Sequence, residues 1–399
     1  MASAAVLPLG GASSGDAPPM ALLARALAAH TPASELEALV TAAFAAGDGA
    51  KCVDLLLASV DGFRKAAPPR EVQSGFAVLA SAAAGVGDEV MARVADAAMK
   101  GEPDDGRAEV RVRCLAAIFH VAASGGARAD VLRKLLRAAH EGKVAKLAAP
   151  ILQRVDAWVS AWNLPDAEAR KVHLACVDLA EDLHKASGGG NTAAARSAAN
   201  EALTRMEAYL RCFEAPGSPV GEAADVATRA CALFLASPHA FATDLLALAA
   251  VKALAPSPAF ELLSAFLTGT NDAFTAALAK HKGSLGALGL DEARLRAKAR
   301  LCTLATAAVE SRAGGTGGAV PYAQLKTALS VSNDSDVERA VLEGVRHGVV
   351  VAKLDQLKSE VTFEGVRPRT FGPAEWETLL EDLKRWQSDL EQFSALSTL

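Results

Sequence analysis

The chain has 399 residues, 51% of them hydrophobic and 22% charged, so it can bury a large core and is long enough for two or three domains. A formal charge of −5 carries no signature of a polyanion-binding protein. The six cysteines (Cys52, Cys114, Cys176, Cys212, Cys231 and Cys302) stand far apart with no Cys-x-x-Cys pair, the usage of a reducing compartment, and no apolar run reaches the roughly 18 residues that span a bilayer.

Residues 1–19 are small and rich in Ser, Ala, Gly and Pro, and read as a disordered leader. They hold no Lys or Arg, which argues against a secretory signal or a mitochondrial presequence; Met1-Ala-Ser-Ala-Ala-Val6 leaves a plastid transit peptide open. Residues 20–290 read as a helical-repeat array. Thr31-Pro32 opens one helix, Asp48 another and Pro69 a third, and Gly101–Gly106 breaks the series. Apolar stripes at helical spacing follow: Leu115, Ile118, Phe119 and Ala122; Leu132, Leu135, Leu136 and Ala139; Ile151, Val155, Trp158 and Trp162; Val172, Cys176, Leu179 and Leu183. Turn signals at Gly188–Asn191, Pro216–Pro219 and Pro256–Pro258 separate the later helices. Helix pairs recur without a repeating signature, as in a degenerate solenoid.

From about residue 291 the pattern becomes mixed. Leu301, Leu304, Ala305 and Ala308 stripe a leading helix, and Pro321 opens a short one over Tyr322–Leu329. Ser335 and Glu338 have capping-box spacing at the start of a second, whose apolar face is Val337, Val341, Leu342 and Val345 and whose stop is Gly348. Beyond it the period falls toward two. Val349, Val351 and Leu354 form one strand-like run, Val361 and Phe363 another, and 355–360 is the turn. Helix, helix, hairpin over 291–368 is the order of a winged helix.

Duplex binding by such a unit needs a surplus of Lys and Arg facing phosphates. From Ala319 onward there are nine (Lys326, Arg339, Arg346, Lys353, Lys358, Arg367, Arg369, Lys384, Arg385) against thirteen Asp and Glu. The helix that would enter a groove carries Asp336, Glu338 and Glu343 beside its two arginines. Sequence-specific DNA recognition is therefore disfavoured, and the hairpin, through Val349, Val351, Val361 and Phe363, is expected to be a protein-docking edge.

Residues 369–399 hold one amphipathic helix from about Pro373. Trp376, Leu379, Leu383, Trp386, Leu390 and Phe393 repeat at spacings of three and four, a strict heptad seam. Such a stripe can pack on the chain's own core. Its narrowness, and its place at the end of the chain, favour a partner helix instead.

A search for catalytic chemistry finds no constellation in its proper context. Gly11-Ala-Ser-Ser-Gly15 has nucleophile-elbow spacing without a preceding strand, and Gly314–Gly318 lacks the Gly-Lys-Ser/Thr ending of a phosphate loop. His173, Cys176 and Glu181 share one helix but form no metal motif, and no two histidines stand two apart. No enzyme activity, metal or cofactor is expected.

A mainly α chain of helical repeats, capped by a winged helix and a terminal amphipathic helix, resembles the PCI family of the proteasome lid, the COP9 signalosome and eukaryotic translation initiation factor 3. Within it, Trp158-Val-Ser-Ala-Trp162-Asn-Leu164, Leu295–Leu301, Ser237-Pro-His-Ala-Phe241 with Asp244, and Arg369–Trp376 leading to Trp386 are similar to segments of the subunit M group of initiation factor 3. The resemblance covers roughly residues 110–396. It implies a non-catalytic, cytoplasmic scaffold subunit with other initiation factor 3 subunits of PCI type as neighbours. Contact with the 40S small ribosomal subunit would come through the complex, with no membrane and no sequence-specific DNA as partner. Two other readings are a scaffold like subunit 7 of the COP9 signalosome and, against the charge balance, a winged-helix DNA-binding regulator.

Overall fold

Helix follows helix over the first three quarters of the chain, as the spacing of its apolar residues dictates. The computed structural model describes residues 19–30, 35–102, 106–188, 192–241, 243–268, 271–313, 319–367 and 373–397. Residues 1–18 of the expected leader and the Thr31-Pro32 helix start lie outside them. The chain divides into two compact units, one up to Gly190 and one from Asn191. That division falls inside the stretch 20–290 that the sequence presents as one array.

Ten helices make up the described part of the first unit: α1 (Pro19–Ala28), α2 (Leu36–Ala45), α3 (Gly49–Ala66), α4 (Pro69–Ala84), α5 (Asp88–Met99), α6 (Ala108–Val121), α7 (Gly125–Glu141), α8 (Ala145–Leu152), α9 (Val155–Trp162) and α10 (Asp166–Ala186). Their starts follow the capping chemistry. The Asp48 carboxylate accepts the Lys51 N–H at 3.0 Å, the Ser124 hydroxyl accepts that of Ala127 at 3.0 Å, and Pro69 opens α4. Each helix packs chiefly on near neighbours: α4 on α5 and α6, α6 on α7, α7 on α10. Leu56, Phe63, Phe76, Leu79, Met91 and Leu115 fill the space between them and are fully buried. Small residues permit the closest approaches. At Gly142 a Cβ would stand 2.2 Å from the Ala108 Cβ, so only glycine lets the end of α7 meet the start of α6.

The stripe Ile151–Trp162 is a correction. It crosses a break, since α8 ends at Leu152 and α9 begins at Val155. Between them the Arg154 N–H turns back to the Ile151 carbonyl at 2.9 Å, a tighter three-residue turn in place of the α-helical bond.

The second unit opens with α11 (Ala193–Arg211), α12 (Ala224–Ala236), α13 (Ala249–Lys252), α14 (Pro258–Thr268), α15 (Asn271–Lys280) and the long α16 (Glu292–Ala313). Lys298 of α16 is buried among aromatic rings. Its Nζ donates to the Phe234 carbonyl oxygen at the end of α12, and sits 4.2 Å from the Phe234 ring centroid and 5.0 Å from that of Phe266. Burial pushes its pKa down to about 7. After α16 come β1 (Ala319–Pro321), α17 (Tyr322–Leu329), α18 (Asp334–Arg346), β2 (Val350–Asp355), β3 (Glu360–Val366) and α19 (Pro373–Ser397). The strands form one antiparallel sheet in the order β1-β3-β2.

Five of the six cysteines are buried and Cys212 is half-buried. Burial pushes the thiols of Cys114 and Cys231 up to about 12, so these serve as small core residues.

Candidate functional site: the terminal sheet and the seam helix

The terminal part of the second unit is assembled on α16, which packs on α17, α18, β1 and β3. The stripe Leu301, Leu304, Ala305 and Ala308 is buried there, together with Tyr322, Leu325 and Leu329 of α17. The inner line of α18 is Val337, Val341 and Gly344. Leu342 and Val345, expected on that face, are 60% and 44% exposed. Gly344 explains the rotation: a Cβ there would meet Leu304 Cδ2 at 2.7 Å and Val350 Cγ2 at 3.0 Å, so the helix is seated on its glycine.

The start of α18 is a second correction. Asn333 is the N-cap and the helix begins at Asp334. Glu338 makes no capping box with Ser335. Its Oε1 accepts from the Tyr322 hydroxyl at 3.2 Å and from Gln356 Nε2 at 3.1 Å, joining α17, α18 and the hairpin turn. Burial, and then Glu338 itself, raise the Tyr322 pKa, so the phenol keeps the proton it donates. Gly348 takes φ +68° and ends α18, and the Val349 N–H returns to the Gly344 carbonyl at 2.9 Å.

The expected docking edge changes most. Val361 and Phe363 lie on β3, the central strand, with Val361 paired to Val320 on one side and Leu354 on the other. Both side chains are buried. Their backbone is therefore not an edge, because β1 occupies the side that a two-stranded hairpin would leave open. Val349 is buried too, and its carbonyl accepts from the Arg367 N–H at 2.8 Å. Only Val351, 58% exposed on the outer strand β2, stands where an added strand could reach. A register shift between Val351 and Ala352, and the ion pair of Lys353 with Glu364, mark that strand.

The heptad seam of α19 faces outward. Exposure runs from 38% at Leu379 to 75% at Phe393, with Trp376, Leu383, Trp386 and Leu390 between. Large apolar side chains in such a row form a patch of the kind that marks an interaction site.

Trp158 and Trp162 stack with centroids 6.0 Å apart, and Phe119 packs on Trp158 at 5.2 Å. A cleft of about 500 Å³ in the first unit is lined by Met20, Phe44, Asp48, Cys52 and Val86. Burial and Asp48 push the Cys52 thiol up, the reverse of an activated nucleophile. His173 and Cys176 are buried in α10. Among the described residues no three His, Cys, Asp or Glu side chains are grouped to hold a metal, and no helix is long and apolar enough to cross a membrane. The Gly11–Gly15 and Gly314–Gly318 segments lie outside the described residues.

No protein-family model matches the chain. Its relatives are consistent, however. It is 36% identical over 240 residues to eukaryotic translation initiation factor 3 subunit M of Neosartorya fischeri, covering 59% of this chain and 47% of the relative. It is 29% identical over 280 residues to the subunit M of Phaeosphaeria nodorum, covering 69% and 60%. With the subunit M of Emericella nidulans the identity is 32% over 243 residues, covering 59% and 50%. The chain spans about half the length of the curated relatives it matches. Over that stretch it is similar in sequence to eukaryotic translation initiation factor 3 subunit M.

Proposed function

We propose that the chain is a non-catalytic scaffold subunit of eukaryotic translation initiation factor 3, acting in the cytoplasm to help assemble the complex that binds the 40S small ribosomal subunit. The observation that carries this reading is the similarity to subunit M, which recurs across several fungal relatives. The architecture supports it. On this reading α16, β1, α17, α18, β2 and β3 make up a winged helix that follows a helical array, the arrangement of a PCI subunit, and their order along the chain supports it. On this reading the domains are the array over 20–290, the winged helix over 291–368 and the bundling helix over 369–399. The other subunits of the complex are the partners, docked on α19 and on the outer side of β2 near Val351.

The exposed side chains of α18 argue against a duplex as ligand. Leu342 and Val345 face solvent, and the exposed Arg339 and Arg346 stand among Asp336, Glu338 and Glu343, so the surface offers phosphates no surplus of positive charge. Co-expression of the full chain with the other initiation factor 3 subunits, followed by purification of the complex, tests the assignment. Wild-type chain should co-purify in stoichiometric amount, and Trp386→Ala, which removes roughly 3 kcal/mol of packing in a buried seam, should be depleted. Absence of wild-type chain from the purified complex would refute the scaffold role.

A further inference from the structure

The borders of the α19 seam are not alike, and the difference specifies what can lie against it. Taking Leu379, Trp386 and Phe393 as one column and Leu383 and Leu390 as the other, each seven residues apart, the flanking positions follow from the heptad. Asp382 and Asp389 occupy one border, and Leu380 and Gln387 the other. Asp389 is exposed, and Asp382 is half-buried with its carboxylate 3.4 Å from Arg385 of the same helix. The basic residues of this stretch, Lys384 and Arg385, fall on the far side of the helix from the seam. One border is therefore negative and the other uncharged.

Resting on the scaffold reading, we propose that the α19 seam takes an amphipathic helix of another subunit that carries Lys or Arg, about seven residues apart, along one border of its own apolar stripe, and that it does not take a second copy of this chain. A basic border meets Asp382 and Asp389 across the seam and fixes both partner and register. A second copy fails in either direction. Antiparallel pairing sets Asp382 against Asp389, like charge on like charge. Parallel pairing sets both aspartates against uncharged residues, and stacks Trp386 on Trp386 and Phe393 on Phe393 in a two-stranded core that has no room for both. A partner with smaller side chains opposite Trp386 accepts the indole as a knob in its hole.

The test uses the full chain and two designed helical peptides with the same leucine seam, one with lysine and one with glutamate at both border positions. Calorimetry should show the lysine peptide binding about tenfold tighter, since two exposed charge pairs change from repulsive to attractive. The preference should shrink with added salt and vanish in the Asp382→Asn/Asp389→Asn double variant. Equal affinities, or a preference for the glutamate peptide, overturn the basic-partner inference while leaving the scaffold role standing if Trp386→Ala is still depleted from the complex. Failure of both peptides to bind, with Trp386→Ala still incorporated, overturns the seam as a docking site altogether. Sedimentation of the chain alone should show a monomer; a dimer abolished by Leu383→Asp would overturn the exclusion of a second copy.

Discussion

His239 and His347 stand 108 residues apart in sequence and meet Nδ1 to Nδ1 at 3.3 Å, their ring centroids 4.9 Å apart. The contact ties the loop after α12 to the C-cap of α18, and so the helical part of the second unit to its sheet. It works with one hydrogen between the two nitrogens. A proton on each would leave two donors facing each other.

The surroundings oppose those protons. Burial, then His347 and the cations Arg196, Arg346 and Lys298, hold His239 down to about 4; burial and Arg346 lower His347, against the opposing pull of Glu343. Because both folded values lie below the ordinary 6.5, the pair's contribution to stability is present above pH 6.5 and is lost as pH falls through about 4. The melting temperature should drop across that window, and His239→Gln should make the drop shallower. An equally steep drop in the variant would assign acid lability to other groups.

Lys298 gives a dependence at the other end of the scale. Its folded value of about 7 lies below the ordinary 10.5, so the folded chain binds fewer protons than the unfolded one between them. Stability therefore rises with pH over that interval, by at most about 1.4 kcal/mol per pH unit for this one group. Lys298→Met removes the slope, at the cost of the hydrogen bond to the Phe234 carbonyl. Chemical denaturation of both proteins at pH 7.5 and pH 9.5 (about the lower and about the upper part of the window) measures the difference.

Proline at Val361 should act on folding and not on docking alone. Val361 is paired on both sides, so Val361→Pro removes a ladder donor from the central strand and breaks its fit with β1 or β2. A loss of several kcal/mol is expected, with the terminal part of the second unit melting early. Hydrogen exchange localised to 319–366 would show it.

Leu383→Asp should leave the isolated chain nearly untouched. The side chain is about half exposed, so the cost should stay within roughly 0.5 kcal/mol and the melting curve should overlay wild type. In the assembled complex the same change buries a charge without a partner and should eject the subunit. A large drop in the isolated chain would mean that α19 packs on its own chain.

Much of this architecture is legible in the sequence where local chemistry decides it. Pro321 starts α17, Asp48 caps α3, Gly348 ends α18, and the change of period announces the hairpin. The pairing order of strands is not local. Alternation in Val361 and Phe363 says that a strand is half-buried, not that it is central, and β1 is only three residues long, too short to show a period. The face of α18 is ambiguous for a related reason. Leu342 and Val345 are apolar yet exposed, and Gly344, which has no side chain to signal burial, marks the contact line. The helix α19 and the spacing of its apolar residues are legible because a heptad needs no tertiary information.

The burial of five thiols out of six has a practical consequence. A maleimide dye offered to the folded chain meets one cysteine that is not fully buried, Cys212, just past the end of α11. The natural chain thus carries a single preferred attachment point, in the same unit as the sheet and the seam helix, from which assembly could be followed without engineering a label site.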